Sequence, residues 1–572
     1  MSKRLAVLFA AGALAAGCGG RSGTPLVPGI AGTSSRLAAA PLPVGVPRQR
    51  LGEVRFDVVL PLRNEGELNR FIAQSSEPDS PQYGQRLTRA QFLARYAPSQ
   101  ADLAAIASDL RSRGFNVSIM DQAVAAGGTR AQVSAYFGRS GRALPEALAR
   151  RRAGVIGLQA MPPVHTFSRL VPVPAGMRPH NAFSPLGPYF PVDLKQAYQF
   201  PSYLDATGKG VKIGIVIDSP IHPSDLKYFF TTRLHIAPAP SVTVVNVGGG
   251  AGFGNDTGEA TLDVEQAGAI APGAKIVVFN VKSLDATAIY DGYQAAIDTK
   301  GLTLVNSSFG GCEQGAGSLL VSLDSLYKEG IAVNGTTFVA ASGDHGADQC
   351  GANNNAVGVV WPADSPYVLA VGGTNLVTGH VASSNDSTYA HEYAYDDVKP
   401  DSGGNVWGSG GGYSTQYARP SWQDGFVSKN ARGLPDLALH MGGMLFSNFG
   451  TLGNYGSGTC QAQKCSPYGS SDLEYENGEL YLAAGTSASS PDIVGMIALW
   501  TQLRHKPFGD IHSVIYKAAA KGMFRRGIAG NNGFPTTSGS WDPVLGVGTP
   551  VAAYKLLGAK AAAGTPGSSS NP

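Results

Sequence analysis

The chain has 572 residues, more than one ordinary domain contains. Hydrophobic residues make up 43% and charged residues 15%, which excludes global disorder, and the 75 glycines show no period of three, which excludes collagen. The part before Pro188 has 22 Lys and Arg against 10 Asp and Glu, whereas the remainder has 22 against 31. These opposite charges predict mutual attraction between the two parts, and a nucleic-acid partner is not needed to explain them.

Residues 1–18 combine a basic start, a short apolar run and small residues, which is typical of an export signal peptide. The run is too short to span a membrane as a mature helix. The ending Ala15-Ala16-Gly17-Cys18 resembles a bacterial lipoprotein box. Two alternatives follow: Cys18 carries a lipid that holds the protein to a membrane, or a plain secretion signal is cleaved nearby. Both predict an extracellular or cell-envelope location.

Four cysteines remain after residue 18, namely Cys312, Cys350, Cys460 and Cys465. An even number in an exported chain favours disulfides over a metal site, and four cysteines allow three pairings. The pairing predicted here is Cys312–Cys350 with Cys460–Cys465.

The N-terminal part divides into a flexible tether over residues 19–50, a compact unit over 51–165 and a Pro-rich connector over 166–187. The compact unit is predicted to be a small α+β module. Its predicted strands cover 54–60 and 115–119, and its predicted helices cover 65–74 and 99–113.

Residues 188–558 alternate between short apolar runs and segments with helical spacing. The predicted strands are 211–217, 275–281, 302–306, 336–341 and 368–372, and the predicted helices are 257–270, 284–299 and 316–330. This alternation predicts an α/β domain with a mostly parallel sheet and helices on both faces. Reactive groups are then expected at the carboxyl ends of the strands. Residues 559–572 are predicted to be a disordered tail.

Ser487 lies in Gly485-Thr486-Ser487-Ala488-Ser489, directly before a long apolar run. The small residues predict a tight turn, and the run predicts a buried helix. A serine at a helix N-terminus meets backbone N–H groups that favour developing negative charge, which suits a nucleophile. The alternative is that Ser487 only caps the helix.

A serine hydroxyl needs a base. Subtilisins place a histidine in the helix before a stretch like Ala271-Pro272-Gly273-Ala274-Lys275-Ile276, but the helix here has none. It has Glu259 and Asp263 instead, at positions i and i+4 and hence on one helical face. They are predicted to act as a base with its orienting partner, the alternative being a solvated acidic helix start.

Asp344 follows an apolar strand, in Ser342-Gly343-Asp344. Subtilisins place an oxyanion-binding asparagine in the comparable loop, and an aspartate can donate a hydrogen bond there only when it is protonated. The neighbouring His345 is expected to face solvent. Asp218, where a subtilisin carries its triad aspartate, is expected to be structural.

These motifs, together with Ser409-Gly410-Gly411-Gly412-Tyr413-Ser414 and Trp361-Pro362-Ala363-Asp364-Ser365-Pro366, resemble those of the sedolisins, the serine-carboxyl peptidases. The resemblance covers roughly residues 51–556. It implies a subtilisin-like fold preceded by an inhibitory pro-domain at 51–165. It also implies that Ser487 attacks, Glu259 takes its proton, Asp263 orients Glu259, and protonated Asp344 stabilises the oxyanion.

The same resemblance bears on substrate and metal binding. Ser409, Gly410, Gly411 and Gly412 are expected to leave backbone free to pair with an extended peptide. The family's calcium site departs from its pattern here, because Arg526 stands where the first calcium aspartate belongs, although Asp542 persists. We therefore predict no metal and no cofactor, with Arg526 facing Asp542. The alternative is that Asp510-Ile511 or other oxygens still hold calcium.

The predicted function is an exported, acid-active serine-carboxyl endopeptidase made as a zymogen, which hydrolyses polypeptides through an acyl-enzyme on Ser487. A tripeptidyl-peptidase of the same family is the alternative within the enzyme class. A catalytically silent surface lipoprotein that only binds peptides is the alternative outside it.

Overall fold

The computed structural model describes residues 52–139, 144–173, 187–350, 358–381, 386–397, 407–442, 471–534 and 536–551. The predicted signal peptide, lipid site, tether and C-terminal tail lie outside these ranges. So does the predicted Cys460–Cys465 disulfide. The predicted Cys312–Cys350 disulfide is confirmed, and its Cα atoms are 4.8 Å apart.

The described part of the chain has twelve α-helices, of which six lie where the sequence pattern placed them and six were not predicted. They are α1 (Glu65–Ser76), α2 (Arg89–Arg95), α3 (Gln100–Ser112), α4 (Arg130–Phe137), α5 (Glu146–Ala149), α6 (Pro191–Ala197), α7 (Pro223–Lys227), α8 (Thr257–Ile270), α9 (Ala286–Asp298), α10 (Ser318–Asn334), α11 (Thr486–Arg504) and α12 (His512–Ala520), with a π-helical turn at Tyr228–Arg233 and a 3₁₀ turn at Ser421–Gln423. None of the helices in the described ranges is long and apolar enough to cross a membrane.

The strands fall into one small and one large sheet and several short pairings. They are β1 (Val54–Val59), β2 (Asn116–Ile119), β3 (Ala123–Gly128), β4 (Gly154–Ile156), β5 (His165–Thr166), β6 (Arg169–Pro172), β7 (Lys212–Ile217), β8 (Ser241–Asn246), β9 (Lys275–Asn280), β10 (Leu304–Ser307), β11 (Phe309–Cys312), β12 (Thr337–Ala341), β13 (Val360–Trp361), β14 (Val368–His380), β15 (Ser387–Ala394), β16 (Asp396–Asp397), β17 (Trp407–Gly408), β18 (Gly412–Tyr413), β19 (Gly433–Leu434), β20 (Leu437–His440), β21 (Asp472–Glu476), β22 (Glu479–Ala484), β23 (Phe524–Arg525) and β24 (Thr549–Pro550).

The N-terminal module is an antiparallel sheet in the order β2-β3-β1-β4 with its own core. Phe56 is fully buried at the centre of this core and meets Phe115 and Phe137 edge to face. The alternating residues of β1 explain the arrangement, because one face of the strand packs on α3 while the other faces the larger domain. The predicted α+β character is confirmed.

The large sheet has the order β15-β14-β12-β10-β7-β9-β8, with β20 pairing on β14. All neighbours are parallel except β15, which runs antiparallel to β14. Its central strands β7, β9, β10 and β12 are mostly apolar and buried, as coverage of both faces by helices requires, whereas the edge strands β8 and β15 are partly exposed. The predicted mostly parallel α/β sheet is confirmed. Helix α11 packs against α8 and against the strands β10, β12 and β14, so that the starts of α8 and α11 meet near the strand ends.

The N-terminal module docks on α9, α10 and α12 through charged pairs that we call the docking surface. Its members are Arg55–Asp291, Arg89–Asp298, Glu65–Lys328 and Lys517 with Glu77 and Asp79. The module supplies the cation in the first two and the anion in the others. The attraction between the two parts therefore rests on individual pairs of both polarities, and their net charges alone do not describe it.

Candidate active site

Ser487 lies in the first turn of α11 and is fully buried. The helix begins after Gly485, whose φ of 141° lies outside the range that other residues adopt readily. A Cβ at Gly485 would also overlap the carbonyl oxygen of Phe167 and lie 2.6 Å from Asp344 Oδ2. The glycine thus lets a second stretch of chain and an acidic side chain approach the serine together.

The Ser487 hydroxyl donates to the carbonyl of Ser308 at 3.2 Å. Its backbone N–H donates to the carbonyl of Phe167 at 3.1 Å. The predicted position at a helix N-terminus is confirmed, and the N–H group already binds a peptide carbonyl there. This is the contact expected of an oxyanion donor.

Glu259 and Asp263 lie one turn apart on α8, and both are buried. The Glu259 Oε2 atom accepts a hydrogen bond of 2.5 Å from Ser168, while Asp263 Oδ1 accepts one of 2.6 Å from Ser308. Within the described residues, Glu259 Oε1 has no hydrogen-bond partner. Both carboxyl groups are therefore buried, which excludes the alternative of a solvated acidic helix start.

The environment of the pair raises both pKa values. Burial is the main cause for Glu259, and the charge of Asp263 adds to it, while the hydroxyls of Ser168 and Ser487 act in the opposite direction. Burial also raises the pKa of Asp263, against hydrogen bonds from Ser308 and Asn306. Two carboxyls this close share protons and titrate as a unit.

Asp344 follows β12 and is 2% exposed. Its Oδ1 atom accepts from the backbone N–H and the hydroxyl of Thr486, both at 2.8 Å, and Oδ2 has no hydrogen-bond partner in the described part of the chain. Burial raises the pKa of Asp344 to about 7, although the bonds from Thr486 and the charge of Arg169 lower it. A protonated Oδ2 would be a hydrogen-bond donor beside the Phe167 carbonyl.

An extended stretch of chain, which we call the cleft segment (residues 165–172), lies across these groups. Its first part, β5, pairs antiparallel with β11, and the N–H of Phe167 continues the pairing to the carbonyl of Ser308 at 3.1 Å. Its second part, β6, pairs antiparallel with β22, the strand that leads into Gly485. Ser168 lies between the two pairings, next to Glu259.

The structure thus brings together Ser487, Glu259, Asp263 and Asp344, as their positions in the sequence suggested. Sequence reasoning missed Ser308, which bonds both Ser487 and Asp263, and Thr486, which holds Asp344. The polar run Asn306-Ser307-Ser308 at the end of a buried strand was the available signal for Ser308. Asp218 lies at the end of β7, where burial and the neighbouring Asp256 raise its pKa to about 6.

The prediction for residues 409–412 is wrong in its physical premise. The N–H groups of Gly410 and Gly411 already donate to the carbonyls of Gly343 and Gly346. The Ser409 hydroxyl donates to the Val544 carbonyl, and Gly412 pairs with β19. This buried stretch supports the loop that carries Asp344, and the strand that pairs with the cleft segment is β11.

The predicted pair between Arg526 and Asp542 is also wrong. Arg526 is exposed and donates to the Ala519 carbonyl at 2.6 Å. Both oxygens of Asp542 accept backbone N–H groups, from Val544 and Leu545 on one side and from Thr537 on the other. Three N–H groups satisfy a buried carboxylate without a counter-charge, so the guanidinium is not needed there.

These residues do not fit a calcium ion. An arginine offers no lone pair to a metal, and the oxygens of Asp542 are engaged by the backbone. Asp510, the other candidate, accepts hydrogen bonds from the backbone and ring of His512. Across the described ranges, no cluster of three or more His, Cys, Asp or Glu suits a metal.

Comparison with known proteins agrees with this geometry. Residues 49–140 match the pro-kumamolisin activation domain, and residues 245–525 match the subtilase family. The sedolisin of Pseudomonas sp. (strain 101) is 26% identical over 525 residues, which cover 84% of this chain and 82% of that protein. The kumamolisin of Bacillus sp. (strain MN-32) is 32% identical over 394 residues, which cover 64% of this chain and 62% of that protein.

A solved structure of Pseudomonas sedolisin, described as a serine-carboxyl proteinase complexed with two molecules of pseudo-iodotyrostatin, superposes with a TM-score of 0.53 at 25% identity. The match covers 65% of this chain and 98% of that one. Some further relatives carry the name tripeptidyl-peptidase. The chain is thus a homologue of sedolisin and kumamolisin, with a pro-kumamolisin-type activation domain ahead of a peptidase domain of the subtilase family and of subtilisin-like fold.

Proposed function

We propose that the protein is an exported, acid-active endopeptidase made as a zymogen, with Ser487 as nucleophile and carboxyl groups in place of a histidine. One observation carries the proposal: an extended strand of chain presents a peptide carbonyl to the N–H of Ser487, beside Glu259 and Asp344. A protein that only binds peptides has no need for buried carboxyls around a buried serine, because burying them costs stability.

The proposed mechanism has two steps. Ser487 Oγ attacks the carbonyl carbon of the substrate and gives its proton to Glu259, while Asp263 orients Glu259 and holds the second proton of the pair. The developing oxyanion accepts from the Ser487 N–H and from protonated Asp344. Glu259 then passes the proton to the leaving amine, and water hydrolyses the acyl-enzyme by the reverse proton route.

The cleft supports an endopeptidase better than a tripeptidyl-peptidase. Residues on the amino side of Phe167 continue through the cleft to Pro163, whose carbonyl oxygen lies 3.1 Å from the Cβ position of Gly311, and to Pro162, which lies at a similar distance from that of Gly315. Six residues therefore fit before the carbonyl that Ser487 contacts. An enzyme that removes tripeptides needs a block after three.

The proposal is tested with the purified, acid-activated protein and two peptides of one sequence, one with a free and one with an acetylated N-terminus. We expect internal cleavage of both at acid pH and none by Ser487→Ala. Release of tripeptides from the free peptide alone would favour the tripeptidyl-peptidase. Wild-type activity in Ser487→Ala would end the mechanism.

The remaining parts of the proposal concern the surroundings of the enzyme. Polypeptides are its substrates, and the N-terminal module with the cleft segment is its intramolecular inhibitor. The charge pattern and signal-like start support export to the cell envelope or beyond, without a nucleic-acid partner. The donor set around Asp542 supports an enzyme that works without calcium.

A further inference from the structure

The cleft segment lies extended across Ser487 and pairs antiparallel with β11 and β22. The chain before Ser168 pairs with β11, and the chain after Ser168 pairs with β22. Phe167 donates to Ser308, and Thr166 and His165 pair with Phe309 and Gly310. Arg169 pairs with Ala484 on the opposite side.

The carbonyl presented to Ser487 belongs to Phe167. It accepts the Ser487 N–H at 3.1 Å, and its carbon lies 2.9 Å from the Cβ position of Gly485, where Asp344 Oδ2 also approaches. The next residue, Ser168, has its hydroxyl on Glu259. The base and the oxyanion donors therefore flank a single peptide bond.

We propose that Ser487 cleaves its own chain first between Phe167 and Ser168, and that the pockets filled by the cleft segment define the preferred substrate. This inference rests on the proposed peptidase function. The bond between Ser487 Oγ and the Phe167 carbonyl carbon forms, and the bond to the Ser168 nitrogen breaks. The serine proton leaves on the new Ser168 amine, and water then releases the Phe167 carboxyl group.

The pocket for Phe167 selects a large apolar side chain. Phe167 is 4% exposed, and its Cε2 and Cζ atoms lie 3.0 Å from the Cβ position of Gly310. The glycine thus makes room for the far edge of the ring. Burying a charged residue there instead would be strongly unfavourable.

A second apolar pocket lies three residues after the bond. Leu170 packs with Leu262, Ala483 and Ala488, and its Cδ1 atom would overlap a Cβ at Gly258. The preferred substrate is therefore a polypeptide with an aromatic residue directly before the cleaved bond and an aliphatic residue at the third position after it. A mature start near Pro188, as predicted for the connector, would require a second and later cleavage.

The test follows the full-length zymogen through an acid time course with intact-mass analysis and N-terminal sequencing of the earliest products. We expect an N-terminal fragment that ends at Phe167 and a partner that begins Ser-Arg-Leu-Val. Ser487→Ala should yield neither. If Ser487-dependent cleavage occurs first at another bond, the inference is wrong while the proposed function stands. If the wild type hydrolyses neither itself nor an added protein at any pH, the proposed function fails.

The pocket is tested separately, so that folding of variants does not decide the result. Synthetic peptides covering residues 162–173 carry Phe, Tyr or Asp at position 167 and are offered to the mature enzyme. We expect Tyr to be cleaved within about tenfold of Phe, and Asp on the order of 100-fold more slowly, in kcat/KM. Equal cleavage of the Phe and Asp peptides would overturn the assignment of the pocket.

Discussion

The N-terminal part of the chain contacts the peptidase domain in two regions that differ in kind. The docking surface consists of charged side chains, many half-exposed, and lies on α9, α10 and α12. The cleft segment consists of backbone pairing and apolar side chains, and lies on Ser487 and Glu259. The comparison separates attachment from inhibition: the first region holds the module in place, and the second occupies the catalytic groups.

The two regions also differ in how salt affects them. Attraction between exposed charges is weak and is screened by salt, whereas backbone pairing in a buried cleft is not. In the cleft, burial raises the pKa values of Glu259 and Asp344. Acid therefore acts in the cleft, where it supplies the protonated Asp344 that the mechanism needs. It also reaches the docking surface, where burial raises the pKa of Asp291.

The largest effect is expected from the catalytic groups. Ser487→Ala should abolish both peptide hydrolysis and self-cleavage, a loss on the order of 10⁶-fold in kcat, without changing the melting temperature much. Glu259→Gln should do nearly the same, because an amide cannot accept the serine proton. Rates of peptide hydrolysis by acid-treated variants, with circular dichroism as the folding control, check this. Activity near the wild-type level in either variant would contradict it.

The next largest effect concerns the docking surface. Arg55 is 11% exposed and bonds Asp291, which is 1% exposed, so Arg55→Ala leaves a buried carboxylate without its partner. We expect a loss of about 3–5 kcal/mol in the stability of the docked zymogen. Lys517→Ala is the matched control, because Lys517 is 41% exposed and its loss should cost at most about 1 kcal/mol.

Denaturant unfolding of the Ser487→Ala zymogen carrying each change measures these values. If the two variants lose equal stability, burial does not distinguish the pairs of the docking surface. If Arg55→Ala, made in the zymogen that keeps Ser487, moves the first self-cleavage to another bond, attachment and inhibition are not separate.

A smaller effect is expected inside the cleft segment. Ser168→Ala removes the hydroxyl bound to Glu259 and leaves the carboxyl to Ser487. We expect self-cleavage to become faster by roughly tenfold, in line with the loss of one hydrogen bond to a charged group. Thr166→Val is the control, since the Thr166 hydroxyl bonds Asp256 and not Glu259. Slower cleavage in Ser168→Ala, as measured by gel densitometry over an acid time course, would mean that this hydroxyl assists the reaction.

The smallest effect is expected from calcium removal. Because three backbone N–H groups satisfy Asp542, excess EGTA should leave the melting temperature of the mature enzyme unchanged within error. Differential scanning fluorimetry with and without added Ca²⁺ checks this. A large calcium-dependent rise, or one bound ion per chain by elemental analysis, would show that other oxygens form the site.

Much of the fold was predictable because its strands and helices have strong local patterns. The predicted helix 257–270 has the bounds of α8, and four of the five predicted strands of the peptidase domain end within two residues of their predicted limits. The fifth, β14, runs eight residues beyond its predicted end at residue 372. The catalytic groups were predictable for a related reason. They lie where strands end or helices begin, and short motifs mark such places.

The cleft segment was not predictable, because its sequence has no periodicity of its own and leads into a Pro-rich stretch. Its two strands exist only through pairing with β11 and β22, which are more than 130 residues away in the sequence. The role of residues 409–412 was missed for the opposite reason. A glycine run suggests free backbone, but here the glycines allow close packing against Ser342 and Pro543.

The measurement that tests the central claim most directly is the pH dependence of kcat/KM for the mature wild type and for Asp344→Asn, on one acetylated peptide. Asp344 has its pKa raised to about 7 by burial and must be protonated to stabilise the oxyanion, so activity is present below that pKa and lost as pH rises through it. We expect an acid optimum for the wild type. Asp344→Asn should be slower in acid but keep its activity above pH 7, because an amide donates without a titrating proton. A wild-type optimum at neutral pH or above, or the same high-pH loss in Asp344→Asn, would contradict the account.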